Sequence, residues 1–241
     1  MVESLKVIGL TRIRNESEII QETLDHMSEF CSEVFVYDDY STDNTVEICE
    51  AHPLVTKVVK GKTWDSVRAR AEFENRQAIY LEASKVCGPN DWFVYMDADE
   101  RIEFDWHKLA DHIDAVQMRL FDFYITEEDV NKKYAERRWI GPEYRNILFA
   151  FRFGATTGYH GLDQRECTLK SYRILQDGFV KHYGKAISEE QWEETCNYYA
   201  NHFPMYAAKW LARKGKAIHT ESDFGRPLIL WKEKLKKGLL L

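Results

Sequence analysis

The stretch FVYMDADERIE, Phe93 to Glu103, joins an apolar run to four carboxylates, Asp97, Asp99, Glu100 and Glu103. Phe93, Val94, Tyr95 and Met96 read as a buried strand, because a short continuous apolar run bounded by polar residues carries that signature. With the strand continued through Asp99, alternation points Asp97 and Asp99 to one face and Ala98 to the other. Two carboxylates about 4 to 5 Å apart, in an effective dielectric near 20, repel by roughly 4 kcal/mol, so the pair demands a cation, a shared proton or an arginine. Hard oxygen ligands in this number suit Mg2+ or Mn2+, which complete their shell with water and phosphate. The competing reading is an acidic helix start, where carboxylates complement the dipole.

Outward from this stretch, short apolar runs alternate with helical patterns. LKVIGL (Leu5 to Leu10) reads as a strand, and Ile20, Leu24, Met27 and Cys31 follow at helical spacing, with Asn15 and Glu18 as a capping pair. EVFVYDD is a second strand, Thr45 to Ala51 a short helix stopped by Pro53, and VTKVVKG a third strand. A long helix from about Ser66 to Val86 closes at Gly88, a left-handed cap position, and AVQMRLFDFY is a fifth strand after the one at Phe93. RNILFAFRF and LKSYRILQDGFVKHY supply further strands, and Glu189 to Lys214 is helical. This order predicts an α/β fold, a doubly wound, mostly parallel sheet with a helical C-terminal extension. The expected division is a domain over 1–187, its nucleotide-binding half 1–105 and its acceptor-side half 106–187, with the extension 188–241 packed on the same domain.

In such sheets ligands bind at the carboxyl ends of the strands. Three of those ends carry residues suited to a nucleotide: Thr11 to Asn15, Asp38 with Asp39, and Asp97 with Asp99. The run DDYSTDNT, Asp38 to Thr45, is in part a turn and a helix start, with Ser41, Asp43 or Asn44 taking the first amides. Adjacent Asp38 and Asp39 exceed that need, and one of them is placed to accept hydrogen bonds from a ribose or base.

A formal charge of −7 over 241 residues argues against a nucleic-acid coat, which needs a basic face. No apolar run approaches the roughly 18 residues of a spanning helix and the start MVESLKVIGL lacks signal architecture, so a cytoplasmic protein without a transmembrane segment is expected. Five scattered cysteines, without CxxC spacing, read as small core residues.

Taken in order, RNE after the first strand, DDYSTDNT after the second, ENRQ in the long helix and DADE after the fourth strand resemble the family 2 glycosyltransferases of GT-A fold. The resemblance covers about the first 105 residues. It implies transfer from a nucleotide-diphosphate sugar to a glycan or glycoconjugate, with inversion, a divalent metal (Mn2+ or Mg2+), and a part in polysaccharide biosynthesis. Carried over, the nucleotide contacts fall on Thr11, Arg14, Asn15, Glu16, Asp38, Asp39, Arg76, Asp97, Ala98 and Asp99. The metal ligands fall on Asp97 and Asp99 of the DXD motif and on His182 of GFVKHYG. Arg76 reads equally as an ion-pair partner of Glu72 or Glu74. The general base falls in GYHGLDQRE, on Asp163 first, then Glu166, with Asp122 behind them; the family's usual acidic pair is not reproduced there. Trp139 and Tyr159 are the aromatic candidates for stacking on an acceptor sugar. The alternatives are a nucleotidyltransferase, a phosphoacceptor domain and a catalytically silent nucleotide-sugar-binding protein. Neither the oligomeric state nor the identity of either substrate is written in a motif.

Overall fold

The computed structural model describes residues 6–65, 67–161, 165–171 and 173–236. The chain forms two compact units, Met1–Met118 with Ile147–Gly178, and Arg119–Asn146 with Phe179–Leu241. In chain order the first elements are β1 (Val7–Ile13), α1 (Ile20–Met27), β2 (Glu33–Asp38), α2 (Thr45–Ala51), β3 (Val55–Lys60), α3 (Arg68–Ala83) and β4 (Trp92–Tyr95). Next come β5 (Glu100–Glu103), β6 (Ala115–Tyr124), β7 (Trp139–Ile140), β8 (Arg145–Arg152) and β9 (Ile174–His182). The last are α4 (Glu189–His202), α5 (Ala207–Leu211), β10 (Ile229–Leu230) and α6 (Trp231–Lys236).

The first unit is built on four parallel strands in the order β3-β2-β1-β4, with antiparallel β8 against β4. Alternation along β1 explains why helices cover both faces. Ile8 and Leu10 share a buried cluster with Ile79, Tyr80 and Ala83 of α3. Gly9 faces the other way, where an added Cβ would lie 2.4 Å from Met27 Cε of α1 and 2.7 Å from Val34 Cγ2. Only a residue without a side chain lets α1 come so close. The doubly wound arrangement is therefore present in the first unit, as predicted. Cys31, Cys49 and Cys167 are buried here and Cys87 is half-buried, all as free thiols.

Three local expectations fail for physical reasons. Asn15 does not cap α1, which begins at Ile20; it adopts a left-handed conformation (φ 54°), and its Oδ1 accepts from the Thr42 amide at 2.8 Å. Asn is one of the few residues that tolerates this geometry. The long helix ends in a 3-10 turn over Ser84–Val86, and Gly88, rather than a left-handed cap, donates its N–H to Asp91 Oδ2 at 2.8 Å. Finally, β4 stops at Tyr95, so Asp97, Ala98 and Asp99 lie in a turn between β4 and β5. Strand alternation therefore does not govern where their side chains point.

In the second unit the strand order is β10-β7-β6, with antiparallel pairs Tyr124 with Trp139 and Ile140 with Ile229. Ser188 begins α4 by accepting the Gln191 amide at 3.1 Å, which satisfies one of the free donors of the first turn. Trp192, Cys196, Trp210 and Ala217 make a small core beneath α4 and α5. The Trp231 ring opening α6 lies against Phe121, Phe123 and Phe179, so the described part of the C-terminal segment is anchored by an aromatic cluster. Among the described residues no helix is long and apolar enough to cross a membrane.

Candidate active site

At the carboxyl ends of β1, β2 and β4 the first unit gathers a set of arginines and carboxylates. Asp97 N donates to Glu100 Oε2 at 2.9 Å, closing the turn after β4, and Glu100 is fully buried. Ala98 packs at the base of that turn; its carbonyl accepts from Thr23 Oγ1 of α1 at 2.5 Å and from Arg101 at 3.0 Å. Ala98 is thus a structural residue that fixes the turn on α1, and its carbonyl is already occupied. The repulsion expected at the acidic turn is met by an arginine. Arg165 places Nη1 2.6 Å from Asp97 Oδ2 and Nη2 2.5 Å from Glu100 Oε2. Burial by itself would raise the Asp97 carboxyl, but the guanidinium groups of Arg165, Arg76 and Arg12 outweigh it and hold the group below the usual carboxylate range.

Glu16 behaves in the opposite way. Burial first, and then the charges of Asp99 and Asp97, push its carboxyl well above the ordinary value, which puts a third acid in the field of the turn. Its backbone N–H donates to Thr45 Oγ1 at 2.8 Å, and Asn15 N donates to Ser41 Oγ at 3.0 Å. The RNE loop is thereby tied to the DDYSTDNT loop. Asp38 is buried, and its Oδ1 accepts from the Ser41 amide at 3.0 Å. Asp39 Oδ2 sits between Arg12 Nη1 at 3.0 Å and Arg68 Nη2. Arg68 also lies over one ring of Trp64, 3.7 Å from its centre, and Arg14 lies 3.4 Å from the same centre.

The donors nearby that are buried without a protein partner include Thr11 Oγ1 and Arg12 Nε on β1 and Arg76 Nε on α3. Arg76 is 5% exposed, reaches Glu72 only at 3.7 Å, and lies 5.2 Å from the Tyr95 ring centre. Burial would lower its pKa, yet Tyr95 and Asp97 raise it. Arg76 thus has the Glu72 contact of one sequence reading, at 3.7 Å, and stands in the field of Asp97.

The family model described as "Glycosyl transferase family 2" matches residues 11–165, more than half of the chain, from Thr11 to Arg165. The chain belongs to glycosyl transferase family 2. An uncharacterized protein of Mycobacterium tuberculosis is 33% identical over 152 residues, 60% of this chain and 33% of its own, so the chain spans about a third of that relative. An uncharacterized glycosyltransferase of Rickettsia conorii is 25% identical over 223 residues, 88% of this chain and 73% of its own. Among solved structures, glucosyl-3-phosphoglycerate synthase from Mycobacterium tuberculosis, in complex with Mn2+, UDP and phosphoglyceric acid, is 18% identical. That match covers 53% of this chain and 46% of the other, with a TM-score of 0.32, too low to argue from.

For a family 2 member the remaining expected residues fall as follows. His182 closes β9 in the second unit, where its Nδ1 lies 2.5 Å from Asp122 Oδ1. Asp122 also accepts from Lys185 at 2.9 Å and Arg145 at 2.8 Å. These charges, once the opposing effect of burial is overcome, hold Asp122 well below the usual carboxylate range, which suits an ion-pair centre better than a base. Asp163 lies outside the described residues. Glu166 is exposed, and its Oε1 accepts from the Leu148 amide at 2.8 Å. Tyr159 is 1% exposed, edge-on to Tyr95 and Tyr80 within the core, so its ring has no face for a sugar. Trp139 is half-buried in β7.

Among the described residues no group of three or more His, Cys, Asp or Glu side chains is arranged to hold a metal ion. The donor set still fits one. Asp97 and Asp99 offer hard oxygens in one turn, and Mg2+ or Mn2+ bound through one or two carboxylates takes its other ligands from water and substrate phosphates. Sequence reasoning missed Arg12, Arg68, Trp64 and Arg165. Arg12 had a signal, since it lies one residue past Thr11 at the end of β1. Arg165, 68 residues from Asp97, had none.

Proposed function

We propose that the protein transfers a glycosyl group from a nucleotide-diphosphate sugar to a hydroxyl of a saccharide or glycoconjugate, with inversion at the anomeric carbon and with Mn2+ or Mg2+ bound by Asp97 and Asp99. The observation that carries this reading is the placing of Asp39 and Asp97 at two strand ends, with Arg76 of α3 in the field of Asp97, beside buried donors, Thr11 Oγ1 and Arg76 Nε, that have no protein partner. Buried donors in a native protein are satisfied almost without exception, so orphans at a ligand edge mark where a ligand's acceptors belong.

In this reading the RNE and DDYSTDNT loops hold the nucleoside end. Asn15 and Ser41 fix the loops to one another, and Asp38 and Asp39 border the base and ribose. Arg76 answers the diphosphate. The metal, when bound, neutralises charge that grows on the departing diphosphate. Residues 106–187 are proposed as the acceptor side. The base is a carboxylate of the segment around Asp163, since Glu166 is engaged by the Leu148 amide. The transition state resembles the oxocarbenium ion of glycoside hydrolysis, so a carboxylate that takes the acceptor proton as the hydroxyl attacks is the residue inversion requires.

The test is calorimetric titration of UDP, GDP and dTDP, with Mn2+ and then with EDTA, followed by turnover of the sugar nucleotides of whichever base binds. Binding of one diphosphate that depends on metal is the expected result. A folded protein that binds none of the three would overturn the donor reading, and binding without turnover would favour the silent binding protein.

A further inference from the structure

Arg165 lies in the GYHGLDQRE segment with no role read from the sequence, yet it holds the acidic turn together. Its guanidinium forks between Asp97 Oδ2 at 2.6 Å and Glu100 Oε2 at 2.5 Å, and its plane lies 4.9 Å from the Phe149 ring centre. The two arms differ. Glu100 is fully buried, and the same Oε2 accepts the Asp97 amide, so that arm is part of the turn itself. The Asp97 carboxylate is 26% exposed and stands in the field of two further guanidinium groups, Arg76 and Arg12.

Three guanidinium groups, Arg165, Arg76 and Arg12, meet four carboxylates here, Asp97, Glu100, Asp39 and Glu72. Arg12 spends its charge on Asp39 at 3.0 Å and Glu72 at 3.5 Å. Arg76 has only the distant Glu72 and a buried Nε without a partner. What is left for a ligand is therefore Arg76 and the partly exposed Asp97 arm of Arg165, two planar donors of the kind that suits bidentate recognition of phosphate.

We infer that Arg165 is a diphosphate-binding residue: Glu100 anchors one arm, Asp97 holds the other in the ligand-free protein, and a nucleoside diphosphate takes over that second arm and frees Asp97 for a divalent cation. The inference rests on the donor reading above and adds a residue to it. It makes Arg165 a competitor of the metal at Asp97 and a helper of the nucleotide. Metal and nucleotide then favour each other, and the coupling is reciprocal by thermodynamic necessity.

Those two roles have opposite signs, which separates them from mere bracing of the turn. Arg165→Ala and Arg165→Lys are compared with the unaltered protein in two titrations: Mn2+ alone, read by the resonance signal of free Mn2+, and UDP, GDP and dTDP by calorimetry in EDTA and in Mn2+. Circular dichroism and the thermal midpoint verify folding. The expected result for Arg165→Ala is Mn2+ affinity raised about tenfold and diphosphate affinity lowered about tenfold or more, the scale of one charge-assisted hydrogen bond. Arg165→Lys keeps the charge but not the fork, so both shifts keep their sign and shrink; it decides the matter should the alanine variant fail to fold. A fall in both affinities, or no change in either, overturns the inference. If the unaltered protein binds a diphosphate and Arg165→Ala binds it equally well, this inference alone fails; if the unaltered protein binds none, the donor reading fails with it.

Discussion

Asp97 in the first unit and Asp122 in the second are both aspartates set among cations, and they are finished differently. Around Asp122 the charged groups meet in direct ion pairs, although Arg213 Nη1 is buried without a partner. Lys185 bridges Asp122 at 2.9 Å and Asp223 at 3.3 Å, and Arg213 reaches Asp223 at 3.0 Å. His182 and Arg145 complete the carboxylate of Asp122. Around Asp97 the carboxylates Asp97, Glu100, Asp39 and Glu72 answer Arg165, Arg12 and Arg76, yet buried donors, Arg76 Nε and Thr11 Oγ1 among them, are left over. A network of direct ion pairs specifies structure, whereas orphan donors gathered at the carboxyl ends of parallel strands are half of an interface whose other half is a ligand.

The sharpest way to break this contrast is Asp97→Asn. The amide keeps the shape and loses the charge, so we expect metal-dependent diphosphate affinity to fall about 100-fold or more, the upper end of what disturbing a metal's supporting shell costs. The thermal midpoint should hold within a few degrees. A variant that binds like the unaltered protein would remove Asp97 from the site.

Lys185→Met asks the converse question of the second unit. It leaves the part-buried Asp122 and Asp223 without their shared cation, a loss of about 3 kcal/mol, the lower end for a broken buried pair because Arg145, His182 and Arg213 remain. In a chain of this size that lowers the thermal midpoint by about 10 °C. Nucleotide affinity at 20 °C is the control, and a midpoint unchanged within 2 °C would show that the network is not structural.

Gly158→Ala is expected to have a smaller effect. Gly158 has φ 92°, and an added Cβ would lie 2.7 Å from Gln77 Oε1, which accepts the Tyr159 amide at 2.7 Å. Strain at such a position costs about 1 to 3 kcal/mol, read as a shift in the urea midpoint. An unshifted midpoint would mean that the segment leading to Arg165 is not pinned to α3.

The smallest effect expected is one of pH. Burial lowers the pKa of His219, which packs edge-on to Trp192 and against Tyr124, from its ordinary 6.5. The folded state therefore binds the proton less well than the unfolded chain. The contribution of His219 is full above pH 6.5 and fades as pH falls through the lower folded value. Urea midpoints at pH 7.5 and 5.5 should converge in His219→Phe relative to the unaltered protein. An identical pH slope in both would exclude His219 as a source.

The parallel core was legible because each of its strands is a compact apolar run and each helix a spaced one. The DADE stretch was readable in content and misread in geometry. Apolar periodicity marks where a strand is buried, but Ala98 looks equally at home in a strand or in a turn fixed by Thr23, and only the Glu100 bond to the Asp97 amide decides for the turn. Tyr159 was misplaced because GYHGLDQRE has no periodicity to show that one of its rings enters the core. Arg68 and Arg165 escaped for a different reason. An ion pair formed across the fold leaves no local pattern, and Asp39 gives no sign in the sequence of which arginine will meet it.

The interleaving of the two units carries a consequence for how the protein comes into being. Made from its N-terminus, the chain exposes Asp97 and Glu100 well before Arg165, which follows Asp97 by 68 residues and lies beyond a segment, Arg119–Asn146, that belongs to the other unit. Until Arg165 has been synthesised, the nascent first unit carries an acidic turn without its counter-ion and lacks the β8 strand that pairs with β4. Domains tend to form as units during synthesis, so the donor end here is a late event, and a fragment cut at Met118 would leave the ribosome with its carboxylates still facing one another.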